Sequence, residues 1–282
     1  MLNFPIVDTH VHFWDPSFLR YSWLDEIPIL NKRYLLEEYR EACGKIHVDQ
    51  LVFVQCECNS GENLKEARWI SDLSRKDKRI RGIVANVPIE NGTKIKDDLD
   101  KLVQIPLVKG IRRLLQGETV DFCLQSNFVE GVRALPDYDL SFDLCIFHPQ
   151  LTNTIELVRR CPEVSFVLDH IGKPDIKNKL FDPWKVELER LAEFPNIFCK
   201  ISGMVTEANM TDWVLEDLKP YIDHVINSFG IDRVMFGGDW PVAVQASDYP
   251  RWVETLCLAT SSFSELDQRK LFRDNAISFY RL

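Results

Sequence analysis

The 282-residue chain has no apolar run approaching the ~20 residues that a membrane-spanning helix needs. Nor does it have an excess of basic residues. Its 43 acidic against 34 basic side chains leave a formal net charge of −9. Nucleic acid, whose phosphates call for a basic face, is therefore not an expected partner, and neither is an anionic membrane surface. A locally basic pocket for a small anion stays compatible with that balance. There is no low-complexity tract, no repeat of fixed period and no linker rich in Gly, Ser or Pro. Together with 45% hydrophobic and 27% charged residues, this argues for one globular domain over residues 1–282. The opening MLNFPIVDTH has no basic start and no long apolar stretch, so a secretory signal is not expected.

The eight cysteines include no C-x-x-C pair. Cys56, Cys58, Cys145 and Cys199 fall in apolar, strand-like runs, where a thiol is a small hydrophobe, and Cys56 and Cys58 form C-x-C. A zinc knuckle is not expected, whereas a reduced, cytoplasmic protein is.

What is present is a rhythm. Eight short runs rich in Val, Ile, Leu and Phe recur at Ile6–Phe13, Gln50–Gln55, Ile80–Val87, Leu107–Ile111, Leu140–Phe147, Val164–Leu168, Ile197–Ile201 and Arg233–Phe236. They read as buried parallel strands. Helix-like segments lie between most of them. Asn63–Leu73 spaces Leu64, Ala67, Ile70 and Leu73 helically, and Pro183–Phe194 does the same with Val186, Leu188, Leu191 and Phe194, with Asp182 as a start signal. Leu215–Phe229 and Ser264–Phe279 are further candidates. Eight βα units predict an α/β fold, a (β/α)8 TIM barrel in a single domain. Residues 14–34 break the rhythm and read as a long aromatic loop on the catalytic face.

The chemistry-bearing residues cluster where the runs end. His10 and His12 stand two apart on the first run, so both side chains can face the barrel mouth. Glu57 follows the second run, Arg112 and Arg113 the fourth, His148 the fifth, Asp169 and His170 the sixth. Lys200 and Ser202 lie in or after the seventh, and Asp239-Trp240-Pro241 follows the eighth. Four of the six histidines thus fall at strand C-termini, the catalytic end of such barrels. His47 and His224 lie elsewhere and read as ordinary. Each candidate also has a plain structural role open to it. The histidines could pair with backbone, Asp239 could cap the next segment, Glu57 could partner Arg112, and the tryptophans could pack. Lys200 in an apolar run needs a partner, with Asp239, Glu57 and the substrate as candidates.

Four stretches together resemble the amidohydrolase superfamily: Asp8-Thr9-His10-Val11-His12, Asp169-His170-Ile171-Gly172-Lys173-Pro174, Lys200-Ile201-Ser202-Gly203 and Phe236-Gly237-Gly238-Asp239-Trp240-Pro241. Within it the chain is similar to the amidohydrolase-2 branch, which includes sugar-acid lactonases, 2-pyrone-4,6-dicarboxylate hydrolase and zinc-dependent decarboxylases. The run Gly110-Ile111-Arg112-Arg113-Leu114-Leu115-Gln116 and the Trp14 region look most like the L-fucono- and L-rhamnono-lactonase group. The resemblance implies a metal set of His10, His12, His148 and Asp239, with His170, His12 and Asp239 catalytic and Asp239 the general base. It implies one divalent ion, zinc foremost, and does not make it obligatory. Arg112 stands where the wider superfamily carries a carboxylated lysine, so a two-metal site is not expected.

The function implied is hydrolysis of a sugar-acid lactone, in carbohydrate metabolism. Arg112, Arg113 or Lys200 would bind the carbonyl or the nascent carboxylate. Trp14, Trp23 and Trp240 would offer apolar surface to the sugar, with Glu57 also on the substrate. A raised pKa would suit Asp239 to its task. The alternative is a zinc-dependent non-oxidative decarboxylase of an aromatic or unsaturated acid. A small molecule is the expected partner, and a homo-oligomer is compatible with the sequence.

Overall fold

A computed structural model describes residues 2–282. Eight parallel strands follow one another in sequence order around the sheet. They are β1 (Ile6–Val11), β2 (Val48–Val54), β3 (Ile80–Ala85), β4 (Val108–Arg112), β5 (Ser141–Leu144), β6 (Phe166–Leu168), β7 (Ile197–Ile201) and β8 (Val234–Phe236). The ring closes just past β8: Val11 bridges Trp240 in parallel, the Asp239 N–H donates to His10 O at 2.8 Å, and the His12 N–H donates to Trp240 O at 2.8 Å. The Thr9 hydroxyl adds a bond to Phe236 O at 2.6 Å. The single-domain barrel expected from the alternation is the fold observed.

Several strands are shorter than their apolar runs. β5 stops at Leu144 although apolar residues continue through Phe147, and β3 stops at Ala85. Past the end of β5, Cys145 and Ile146 are inaccessible, so their apolarity reflects loop burial, whereas Phe147 is 41% exposed. Cys56 and Cys58 likewise lie beyond β2, and Cys58 is only half-buried.

The helices cover the outside by amphipathic spacing. Asn63–Lys76 buries Ala67, Ile70 and Leu73, as the spacing predicts. The helix expected over Pro183–Phe194 spans Trp184–Ala192 and buries Trp184, Leu188 and Leu191. Val186, expected on that face, is 50% exposed. The indole of Trp184 takes the core stripe, positioned by an Nε1–H bond to Ile171 O at 2.7 Å. The last predicted helix is three pieces, Glu265–Arg269, a π-turn at Lys270–Asp274, and Asn275–Tyr280. It ends by sending the Tyr280 hydroxyl into the barrel interior. Residues 14–34 are the aromatic loop anticipated, pinned by a Trp14–Tyr34 bridge.

Candidate active site

Assembly of the site begins at Asp8, which is wholly buried on β1. Its Oδ1 accepts backbone N–H bonds from His10 (3.0 Å) and Gly238 (2.7 Å), and its Oδ2 accepts the hydroxyls of Tyr39 (3.0 Å) and Tyr249 (2.8 Å). Burial pushes its carboxyl up to about 6 against the pull of those donors. One side chain thereby ties the first strand to the loop after the last, and so sets His10 against Asp239. Gly238 must be glycine here, because a Cβ would stand 2.4 Å from Asp8 Oδ2.

Three imidazoles converge on one oxygen. The Nε2 atoms of His10, His12 and His170 lie 3.8, 3.6 and 3.8 Å from Asp239 Oδ1. All four side chains are buried. Each ring is oriented through its other nitrogen: His12 Nδ1–H donates to Val54 O at 2.8 Å, His170 Nδ1 meets Ser202 Oγ at 2.9 Å, and His10 Nδ1 faces Asp169 Oδ1 at 3.3 Å. Burial drives all three histidines below their usual range, so they stay neutral. Burial alone would raise Asp239, but the adjacent imidazoles of His170 and His12 and the Lys173 ammonium outweigh it and hold the carboxyl below its ordinary value. The raised pKa expected of it is therefore replaced by a lowered one.

Lone pairs of three neutral rings and a carboxylate thus face one another, an arrangement that favours a cation among them. Four ligands ~2.0–2.2 Å from a tetrahedral ion stand about 3.3–3.6 Å apart, close to the 3.6–3.8 Å between each ring and Asp239 Oδ1. Donor atoms of His10, His170 and Asp239 fall within 4.8 Å of one another. The anchored Nδ1 atoms supply the outer hydrogen bonds that orient metal-binding histidines. The donor set fits one divalent ion, with one complication: Arg112 Nη1 donates to His10 Nε2 at 3.3 Å and competes for that lone pair.

Backbone strain concentrates in the loops that carry these groups. His170, Ile171, Gly172 and Lys173 form a left-handed turn with φ of 53°, 51°, 74° and 47°, and Asp239 has φ 53°. For residues other than glycine this costs about 1–2 kcal/mol each, and such strain clusters at working sites. Gly203 allows the two halves to meet, since a Cβ there would lie 2.4 Å from His170 Nδ1 and 3.0 Å from Asp239 Oδ2.

Not every sequence candidate joins the cluster. His148 opens a short 3-10 turn and sits beside Asp175, apart from the three convergent rings. Lys200 pairs with neither Asp239 nor Glu57. It is fully buried in β7, with Nζ 2.6 Å from Asp143 Oδ2, 3.0 Å from Asp169 Oδ1 and 3.5 Å from His10 Nδ1. Arg112 lies 4% exposed, donating to Gln55 O at 2.6 Å and facing Asp169 Oδ2 at 3.5 Å. Arg113 is held by Glu90 and Glu118.

Trp14 is sealed, its Nε1–H shared between Leu30 O and Lys32 O. Trp240 is 2% exposed among the rings of Phe13, Tyr34 and Tyr39. Both belong to the core. Trp23 is half-buried and edge-on to Trp14 at 5.3 Å. Glu57, at φ 53°, accepts from Gln55 Nε2 at 2.6 Å and lines a cavity of about 450 Å³ with Asn86 and Arg113. Another cavity of about 450 Å³, lined by Leu2, Phe4 and Ile6, lies at the opposite end of the barrel, far from the chemistry.

Asp8, Asp143, Lys173 and Glu207 join the site without standing out along the chain. Asp8 and Lys173 sit inside the Asp8–His12 and Asp169–Pro174 motifs. Glu207 and Asp143 carried no signal, because only the fold brings them to their partners.

Residues 7–282 match the amidohydrolase family model, and the chain belongs to that family. It is a hydrolase. It is 28% identical to an L-fucono-1,5-lactonase of Burkholderia ambifaria, over 98% of this chain and 95% of that one. A 4-sulfomuconolactone hydrolase of Rhizobium radiobacter is 22% identical over 83% of this chain and 75% of its own length. Among solved structures, an amidohydrolase of Burkholderia multivorans with bound zinc superposes with a TM-score of 0.87 at 25% identity, over 99% of this chain and 100% of that one.

Proposed function

We propose that the protein hydrolyses the ester bond of a sugar-acid lactone of the L-fuconolactone or L-rhamnonolactone type, with Asp239 as general base. The convergence of three neutral imidazoles on Asp239 Oδ1 carries this reading. Similarity to the L-fucono-1,5-lactonase supports the substrate class.

Asp239 is ionised in the resting site because neighbouring charges hold its carboxyl low. It takes a proton from the attacking water as the new C–O bond forms. The carbonyl becomes an oxyanion, and donors placed where that charge develops stabilise it by roughly 3–4 kcal/mol each. When the ring C–O bond breaks, protonated Asp239 returns its proton to the departing alkoxide. One water is consumed and one hydroxy acid released. His12 and His170 keep fixed orientations throughout, because Val54 O and Ser202 Oγ hold their far nitrogens. A divalent ion held by His12, His170 and Asp239, and by His10 in exchange with Arg112, would polarise the carbonyl and acidify water.

A panel of aldonolactones followed with a pH indicator, with and without chelator, tests the substrate class. Asp239→Asn is expected to keep the fold and lower kcat at least ~100-fold. Near-normal kcat would remove Asp239 as the base. Turnover of an aromatic acid with loss of CO₂, and of no lactone, would favour the decarboxylase alternative.

A further inference from the structure

Recognition of a lactone carbonyl, and of the carboxylate it becomes, calls for a cation with donors to spare. Arg112, Arg113 and Lys200 are committed to the protein interior by the contacts described above. Lys173 differs. It ends the left-handed turn that begins at His170, so the same strained backbone that aims His170 also places this ammonium. Its side chain is 14% exposed, and among the described residues Nζ has one ion-pair partner, Glu207 Oε1, at 3.3 Å. That is longer than the ~2.7–2.9 Å of a tight charge-assisted bond. Phe147 lies beneath the ammonium, its ring centroid 5.5 Å away. Three residues after His170 in the same turn, the Lys173 charge acts on both His170 and Asp239.

We infer that Lys173 is the substrate anchor: its ammonium binds the carbonyl oxygen of the lactone and then the carboxylate of the ring-opened acid, with Glu207 as the residue that positions it. The inference rests on the lactonase reading for its substrate. The left-handed turn makes it physically economical, because one distortion delivers the ring that faces Asp239 and the cation that faces the substrate. Burial raises the Glu207 carboxyl while Lys173 pulls it down, so Glu207 restrains the lysine without saturating its three donors.

The test is calorimetric binding of L-fuconate and L-rhamnonate, which needs no turnover. Lys173→Met is expected to weaken the better-bound acid at least ~10-fold, in line with a charge-assisted hydrogen bond, and Lys173→Arg to retain part of the affinity. Lys173→Met/Glu207→Leu leaves no orphaned carboxylate and is expected to show the same loss, which guards against a variant that merely unfolds. Lactone kinetics should show kcat/KM falling at least ~10-fold in both. Wild-type affinity in either folded variant overturns the inference, as does a wild-type protein that binds neither acid. Lys173-dependent acid binding in a protein that opens no aldonolactone would uphold the anchor and remove the lactonase reading.

Discussion

Replacing Lys200 by Met separates two roles for that residue. Lys200 Nζ lies between Asp143 and Asp169, at 2.6 and 3.0 Å, and all three side chains are inaccessible. Tyr280 OH donates to the same Asp143 oxygen at 2.8 Å, and Arg112 stands 3.5 Å from Asp169. Methionine matches the aliphatic stem but leaves two buried carboxylates facing each other, with Arg112 and His10 beside Asp169 and Tyr280 beside Asp143. Removing one partner of a buried pair costs about 3–5 kcal/mol. At roughly 2–4 °C per kcal/mol for a chain near this size, Tm should fall by about 10 °C.

The loss should depend on pH. Burial already pushes Asp143 up to about 6 against the pull of Lys200. A carboxyl whose folded pKa exceeds its unfolded value contributes stability below the unfolded pKa and loses it as pH rises through the folded one. The Lys200→Met deficit should therefore be smaller at pH 5 than at pH 8. Lys200→Met/Asp143→Leu should recover much of it. Thermal melts of the wild type and the two variants across that range are the assay. A single variant with unchanged Tm and a raised KM for lactone would refute this account and return Lys200 to substrate contact.

Three further outcomes follow from the same contacts. Gly203→Ala should cost at least ~100-fold in kcat, because its Cβ would drive into His170 Nδ1 from a position with φ 59°; full activity would show that the loop yields freely. Glu66 is buried, and burial raises its carboxyl to about 8, so wild-type stability should fall as pH rises from about 4.5 through 8. Glu66→Gln removes that slope, so its Tm should gain on wild type at pH 9 relative to pH 5, and parallel melting curves would count against it. Zinc at ~100-fold over its Kd should stabilise the metal-stripped protein by about 2.7 kcal/mol, and His12→Ala or Asp239→Ala should abolish the shift; a shift that survives both places the ion elsewhere.

Much of this was legible from sequence because barrels impose a simple code. Strands buried on both faces read as continuous apolar runs, and residues that follow them land on one rim. His10, His12, His170 and Asp239 could be grouped on that logic. His148 obeyed the same rule and did not join them, since β5 ends four residues earlier and the chain turns before His148 is reached. Rim position brings residues near one another but does not aim their side chains.

The sequence alone determined the order and number of the βα units, the residues beside the catalytic rim, and the place of Asp239 as the acid of the last strand. Hydrophobic periodicity and strand-end position are local properties of the chain, so they can be read without coordinates. Tertiary structure decided which cations are spent and which are free. Lys200 is matched by carboxylates 57 and 31 positions away, Asp8 by tyrosines from two distant helices, and Lys173 by Glu207 across a loop. Charge pairing depends on distances of a few ångströms between segments remote in sequence, and no pattern along the chain encodes them.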